Sequence, residues 1–258
     1  MTHGTIAQVG KKMLRTALAL ALLGISSNRP EAQQPDVAAP FAPGEVLTYK
    51  AVSGRFGTFG TGVMRVDGPV DMRGQSALQL AFDFRGRVGI FKVEDRSRSW
   101  IASGTFTSLR YERHEKSPLG NRSEEVEIFP AELRWEGTNG EAGDTPCEHP
   151  LDELSFIYFL RTLPLVDGEE YSLTHHFDPG RNPVLLKVVG RERIEVPAGE
   201  FTTVVVEMRV SDERIRAMRL YLTDDDARVP VRIESSAPWV GSTRLLLQSV
   251  TRGGAGGQ

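Results

Sequence analysis

Cysteine is almost absent from this chain of 258 residues, in which Cys147 is the only one. A single thiol cannot form an internal disulfide bridge, so the chain must be stable through its own core, for which it is long enough. Cys147 falls in the polar loop 137–150, where we interpret it as an incidental thiol. The less favoured alternative is a metal site formed by Cys147, His149 and distant partners.

The common catalytic motifs are also missing. The sequence contains no Gly-x-Ser-x-Gly elbow, no phosphate-binding loop, no His-Glu-x-x-His zinc site and no Cys-x-x-Cys pair. The adjacent His175 and His176 fall in a predicted strand and would point to opposite faces, which disfavours a shared metal ion. Ser155 has no histidine in a recognisable motif. The acidic run 224–226 favours a turn capped by aspartates over a calcium site. We therefore predict no enzymatic activity, no catalytic residue, no metal and no cofactor.

No apolar run reaches the roughly 18–20 residues that a transmembrane helix needs. The apolar run 16–25 follows a basic segment at 11–15, and a polar stretch with small residues comes after it. This pattern predicts a signal peptide over 1–32, cleaved near Ala32, with an uncleaved N-terminal anchor helix as the alternative. No cysteine stands near the cleavage site, which excludes lipoprotein acylation. We expect a periplasmic or secreted protein without a transmembrane span.

Positive charge is not in excess. The formal net charge is −3, and removal of 1–32, which carries four cations and one acid, leaves −6. An acidic surface repels phosphate backbones, so we expect no nucleic-acid partner.

What the sequence does contain is an alternation of apolar and polar residues through most of 44–250. Alternation places one face of a strand on a core and the other in water. The close spacing of the strands favours antiparallel hairpins, because parallel strands need long crossovers. The predicted strands are 45–52, 59–67, 76–85, 88–95, 97–102, 106–116, 122–129, 132–136, 169–178, 183–190, 191–197, 202–210, 216–224, 229–235 and 241–250. An extended linker at 33–43 precedes this β domain, and a disordered tail at 251–258 follows it.

One segment, 151–163, breaks the alternation. Its apolar residues cover most of the circumference of a helix, which predicts a buried helix over 152–163 with Asp152 as its cap and Pro164 at its end. The predicted fold is mainly β: a curved antiparallel sheet, open or half barrel, that wraps this one central helix. A two-lobed arrangement is the alternative. Arg161 either reaches solvent from the last turn or pairs with a carboxylate inside.

Many aromatic residues share the predicted interior. They either fill a core or line a cavity for a lipid or another apolar ligand. The candidate ligand-binding residues are Phe156, Tyr158, Phe159, Arg161, Phe91 and Trp100.

Five segments in order resemble the bacterial domain-of-unknown-function family 3108, whose members are secreted or periplasmic. They are GEVLTY at 44–49, FKVED at 91–95, LDELSFIYFLR at 151–161, VPAGEF at 196–201 and TDDDARVPV at 223–231. Together they extend over about residues 41–250. The resemblance implies an envelope protein of antiparallel β architecture, and it implies no activity and no catalytic residues.

We therefore expect an exported, non-enzymatic binding or carrier protein for an apolar or lipid-like ligand held between sheet and helix. The first alternative is an envelope structural or assembly factor that binds another protein. An envelope hydrolase is the least favoured, because no catalytic set is visible.

Overall fold

A computed structural model of the protein describes residues 39–210, 217–237 and 241–253. The strands are β1 (Val46–Ser53), β2 (Gly57–Met72), β3 (Gln75–Val88), β4 (Phe91–Ala102), β5 (Ser108–Ser117), β6 (Gly120–Phe129), β7 (Arg134–Gly137), β8 (Ala142–Asp144), β9 (Glu170–Leu173), β10 (Val184–Val196), β11 (Gly199–Arg209), β12 (Met218–Thr223), β13 (Pro230–Ala237) and β14 (Gly241–Thr251). Within these ranges the one α-helix is α1 (Glu153–Phe159), and short 3-10 turns lie at Pro130–Glu132, Leu160–Thr162 and Pro179–Arg181.

All these strands belong to one antiparallel sheet of 14 strands. Strands β1 to β8 pair in chain order, and so do β9 to β14. β1 pairs with β14, which joins these two halves near the centre of the sheet. The edges are β8 and β9, and the segment with α1 connects them. The predicted antiparallel sheet is confirmed. It is one open sheet rather than two lobes.

The sheet is wrapped around a core. Along β1 the buried residues Leu47, Tyr49 and Ala51 alternate with half-buried ones, as strand periodicity requires. A single apolar cluster contains residues from β1 to β5, from β10 to β14 and from α1. Strands this far apart in one sheet meet only if the sheet curls, so the predicted curvature is present.

Several strand boundaries differ from expectation: β8 lies within the predicted loop 137–150, and the predicted strand 169–178 is reduced to β9. The predicted strands 88–95 and 97–102 form the single strand β4, and 183–190 and 191–197 form the single strand β10. In β10 the break coincides with Gly190, where the register with β11 shifts. Glycine at this point allows a β-bulge, which bends a strand without ending it.

The ends of the domain pack more closely than a free linker and tail would. Phe41 is buried, and its ring stands edge-on to Tyr158 with a centroid distance of 4.9 Å. Thr251 pairs with Val46, and a Cβ on Gly253 would lie 2.3 Å from the Pro43 carbonyl oxygen. The predicted signal peptide and most of the predicted linker and tail lie outside the described residues. Within the part that is described, no helix is both long and apolar enough to cross a bilayer.

Candidate functional site

The N-terminus of α1 is anchored to the sheet through Asp152. Its carboxylate accepts hydrogen bonds from the hydroxyls of Ser99 at 2.5 Å and Ser108 at 2.7 Å. It also accepts from the backbone N–H groups of Leu154 and Ser155, both at 2.9 Å, and the Ser155 hydroxyl completes a capping box. Complete burial raises the pKa of Asp152 above its usual range, although these hydrogen bonds act in the opposite direction. The predicted cap is confirmed, and it fixes the helix to β4 and β5.

These polar groups hold structure and are not arranged as a nucleophile and a base. Ser108 and Ser155 contact each other at 3.0 Å. The His176 Nδ1 atom accepts from the backbone N–H of Asp178 at 3.1 Å, while its Nε2 atom faces the Glu153 carboxylate at 3.5 Å. Burial lowers the pKa of His176, so the ring is neutral at pH 7.

Metal binding has no support at this point of the fold. His176 stacks on the Phe156 ring, and the neighbouring His175 lies against Phe159. Among the described residues, no cluster of three or more His, Cys, Asp or Glu side chains suits a metal ion.

The C-terminus of the helical segment is anchored by a buried ion pair. Arg161 donates two hydrogen bonds to the Glu45 carboxylate, at 2.6 and 2.9 Å, and its side chain is 0% exposed. It also donates to the backbone oxygens of Ala227 at 3.0 Å and Pro40 at 3.3 Å. Of the two expectations for Arg161, the internal carboxylate partner is therefore correct. The ion pair and the hydrogen bond to Ala227 together join segments 44–49, 151–161 and 223–231. These are three of the five segments that carry the family resemblance.

Side chains of the chain itself occupy the space between α1 and the sheet. Phe156, Tyr158, Phe159 and Leu160 are 0–3% exposed. Tyr158 donates from its hydroxyl to the Arg65 carbonyl oxygen in β2 at 3.3 Å. The helix residues divide between two apolar clusters, one shared with β1 to β5 and β10 to β14 and one with β9 to β12. The packing around α1 is that of a filled core.

The structure separates the six candidate ligand-binding residues. Phe156, Tyr158, Phe159 and Arg161 lie together in the interior, on the helical segment. The others, Phe91 and Trp100, lie elsewhere on the sheet, and a ligand-binding role for any of the six stays a prediction.

The positions of the two separate residues follow from the strand that carries them. Phe91 is 53% exposed at the first position of β4. Trp100 lies between the buried Ser99 and Ile101 and so points to the outer face. There its ring lies under the guanidinium of Arg110, at 5.4 Å from the centroid.

A groove that sequence analysis missed lies across strands β9, β10 and β11, beside the β9 edge of the sheet. Its volume is about 390 Å3, and it is lined by Glu170, Tyr171, Leu185, Leu186, Lys187, Val189, Glu207 and Arg209. Leu185 and Val189 are 43% and 48% exposed on the outer face of β10. The sequence contains a sign of this apolar stripe. Apart from Lys187, every residue of 184–189 is apolar, at outward as well as inward positions of the strand. An exposed apolar stripe beside a sheet edge suits contact with another chain.

One protein family matches this chain over most of its length. A family model described as "Protein of unknown function (DUF3108)" matches residues 47–248. No curated protein matches the chain.

Three solved structures are similar in fold. A beta-barrel-like protein of domain of unknown function DUF1849 from Brucella abortus has a TM-score of 0.53 at 10% identity, with 81% of this chain and 97% of that chain covered. A protein from Bacteroides fragilis, described as exported and as having a YmcC-like fold, has a TM-score of 0.37 at 13% identity, with 83% and 98% covered. A protein from Parabacteroides distasonis, described as a lipoprotein, has a TM-score of 0.32 at 12% identity, with 84% and 100% covered. At 10% identity the first likeness shows a shared barrel-like fold.

Proposed function

The chain belongs to the DUF3108 family of proteins of unknown function, and from its own contacts we propose that it is an exported, non-enzymatic binding protein of the cell envelope. Its partner is an extended segment of another protein, which binds along the groove beside β9. The observation that carries this proposal is the exposed apolar stripe of Leu185 and Val189 on β10, next to the edge strand β9.

Export is supported by the leader-like pattern of 1–32. A basic segment, an apolar run of about ten residues and a polar stretch with small residues follow one another there. Cleavage near Ala32 would release the protein into the periplasm. The N-terminal mass of the protein recovered from the periplasm tests this directly, and a leader that remains attached would contradict it.

The absence of catalytic activity is supported by the way the polar interior is used. The hydroxyls of Ser99 and Ser108 donate to Asp152, and Ser155 closes the capping box. A nucleophilic serine needs a base within hydrogen-bond reach, and the His176 nitrogens face an amide and a carboxylate instead.

Binding at the surface is favoured over binding in the interior. A ligand between α1 and the sheet would have to displace Tyr158 and Phe159, which are 0% and 1% exposed. It would also have to break the Arg161–Glu45 pair or the Asp152 cap, since α1 is tied down at both ends. A carrier would therefore have to open the core to load its cargo.

The groove has the features that strand addition requires. β9 ends the sheet, and within the described residues no strand pairs with Glu170–Leu173 on its far side, while Leu151 bridges to His176 just beyond it. The backbone of these four residues can take a further strand. Leu185 and Val189 lie one strand further in, on β10, where long apolar side chains of the added strand would reach them across β9. The Lys187–Glu170 ion pair at 3.1 Å and Arg209 flank the contacts with both signs of charge. The chemistry fits an extended segment with alternating apolar residues.

Site-specific photocrosslinking in cells tests the proposal. A photoreactive residue at position 189 should give one discrete protein adduct that maps to a single extended segment of its partner. The matched control is position 250, where Val250 is also apolar, in a strand and 37% exposed. The change Leu185→Lys should abolish the adduct at 189. The same adducts from both positions, or an adduct that is insensitive to L185K, would contradict the proposal.

A further inference from the structure

The strand order gathers three turns at one end of the sheet. In an antiparallel meander every second connection lies at the same end, so the turns β1–β2, β3–β4 and β5–β6 share one end. These hairpins are consecutive in the sheet, which places their turns about two strand spacings, roughly 10 Å, apart. The β7–β8 turn follows at the same end. We call the part of this end formed by residues 53–57, 85–92 and 116–122 the hairpin-tip surface.

Each tip presents large apolar side chains to solvent. Ile90 is 83% exposed, Leu119 70%, Phe91 53% and Phe56 37%. Single exposed apolar residues are ordinary on protein surfaces, but these four stand at the tips of three consecutive hairpins. They project from the turns that connect the strands.

The same tips are basic in an acidic chain. The three segments contain Arg55, Arg85, Arg87, Lys92, Lys116 and Arg122, and no aspartate or glutamate, whereas the whole chain has a net charge of −3. All six are exposed. The nearest acidic contact is Glu94, whose carboxylate is 3.7 Å from the Lys116 ammonium group. Across the described part of the chain, no ion pair holds Arg85, Arg87 or Lys92.

We propose that the hairpin-tip surface docks the protein on an anionic phospholipid membrane. Exposed cations are attracted to the negative surface of such a bilayer, and apolar side chains that project between them enter the boundary of headgroups and acyl chains. A fluid bilayer accepts separate tips, whereas a folded protein partner would need a continuous complementary surface. A nucleic acid would engage the cations and the rings of Phe56 and Phe91, but it gains nothing from Ile90 and Leu119, the two most exposed apolar residues, which have no ring to stack on bases.

This surface shares no residue with the groove beside β9, so the two proposals fail independently. Docking by the tips would hold the open sheet upright on the membrane, with its acidic opposite end, which includes 224–226, directed away from the lipid.

Vesicle flotation with the full chain tests the inference. The vesicles are phosphatidylcholine alone or with about one third phosphatidylglycerol, at low and high salt. The apolar variant is Ile90→Ser with Leu119→Ser, and the charge variant is Arg87→Gln with Lys92→Gln. The matched controls are Val166→Ser, exposed at 52% in the connection before β9, and Arg193→Gln, a surface cation in β10. All proteins keep the same N-terminus, so differences between them report the tips.

The expected result is binding that requires phosphatidylglycerol, weakens with salt and falls about tenfold or more in both tip variants, with both controls unchanged. No binding to anionic vesicles would overturn the proposal. So would binding that the tip variants leave unchanged. A third overturning result is equal binding to duplex DNA by the wild type and the apolar variant, since this would identify a polyanion site without insertion.

Discussion

Among the described residues, Glu45 supplies the only carboxylate that contacts Arg161, and its replacement by glutamine removes that charge. The Arg161 side chain is 0% exposed and that of Glu45 6%, so water cannot take over the lost interaction. The amide keeps one acceptor oxygen but turns an N–H donor toward the guanidinium, and the carbonyl oxygens of Ala227 and Pro40 cannot neutralise the charge. Removing one partner of a buried ion pair costs about 3–5 kcal/mol.

The assay is urea unfolding followed by tryptophan fluorescence, together with a thermal melt. For a domain of this size the loss corresponds to a fall in Tm of roughly 6–20 °C. The control is Glu200→Gln, which breaks an exposed ion pair with Arg193. The Glu200 side chain is 53% exposed and that of Arg193 71%. Exposed pairs contribute little, so the control should unfold with the wild type.

A double-mutant cycle separates the ion pair from other effects. The variant Glu45→Gln/Arg161→Met removes both charges, so its loss of unfolding free energy should be smaller than the sum of the two single losses by about 1–3 kcal/mol. Additive losses, or a Glu45→Gln variant as stable as the control, would refute the view that this pair anchors the helix.

Three further changes test other parts of the structure. His176→Asn keeps an acceptor for the amide that the ring now binds. Because burial lowers the pKa of His176, the unfolded chain takes up the proton more readily, so the neutral ring contributes stability above about pH 6.5 that is lost as the pH falls. Between pH 7 and pH 5, urea titrations should show a smaller loss of unfolding free energy for the variant than for the wild type. An equal loss would mean that another group causes the acid sensitivity. Asp152→Ala removes the helix cap and strands two buried hydroxyls, which should cost about 2–4 kcal/mol in the same assay; a loss within experimental error would show that the cap is dispensable. Gly86→Ala would place a Cβ 2.6 Å from a backbone oxygen of the facing strand and should cost about 1–3 kcal/mol, whereas Gly54→Ala has nothing within 4 Å and should be neutral; equal stability of the two would mean that the sheet yields.

The elements that sequence predicts well are those with a local signal. Alternation identified the strands, and an aspartate before an apolar run identified the cap of α1. The pairing of β1 with β14 has no local signal, because it depends on two segments at opposite ends of the domain. The partner of Arg161 could not be predicted from local sequence for the same reason, because Glu45 is 116 residues away in the chain.

The candidate site was predicted in part. Phe156, Tyr158, Phe159 and Arg161 are together because one short helix carries them. Trp100 was grouped with them as an aromatic residue, although alternation along β4 assigns it to the outer face. The groove beside β9 and the hairpin-tip surface became visible only with the strand order, which determines which exposed residues are neighbours.

The protein's own side chains fill the space around α1 and leave no room there for a ligand. Native mass spectrometry of salt-washed protein purified from its host measures this directly. We predict the mass of the polypeptide alone, because Tyr158, Phe159 and the Arg161–Glu45 pair leave the interior to the protein. A stoichiometric adduct with the mass of a lipid would contradict the filled core and would favour a carrier for a lipid-like ligand instead.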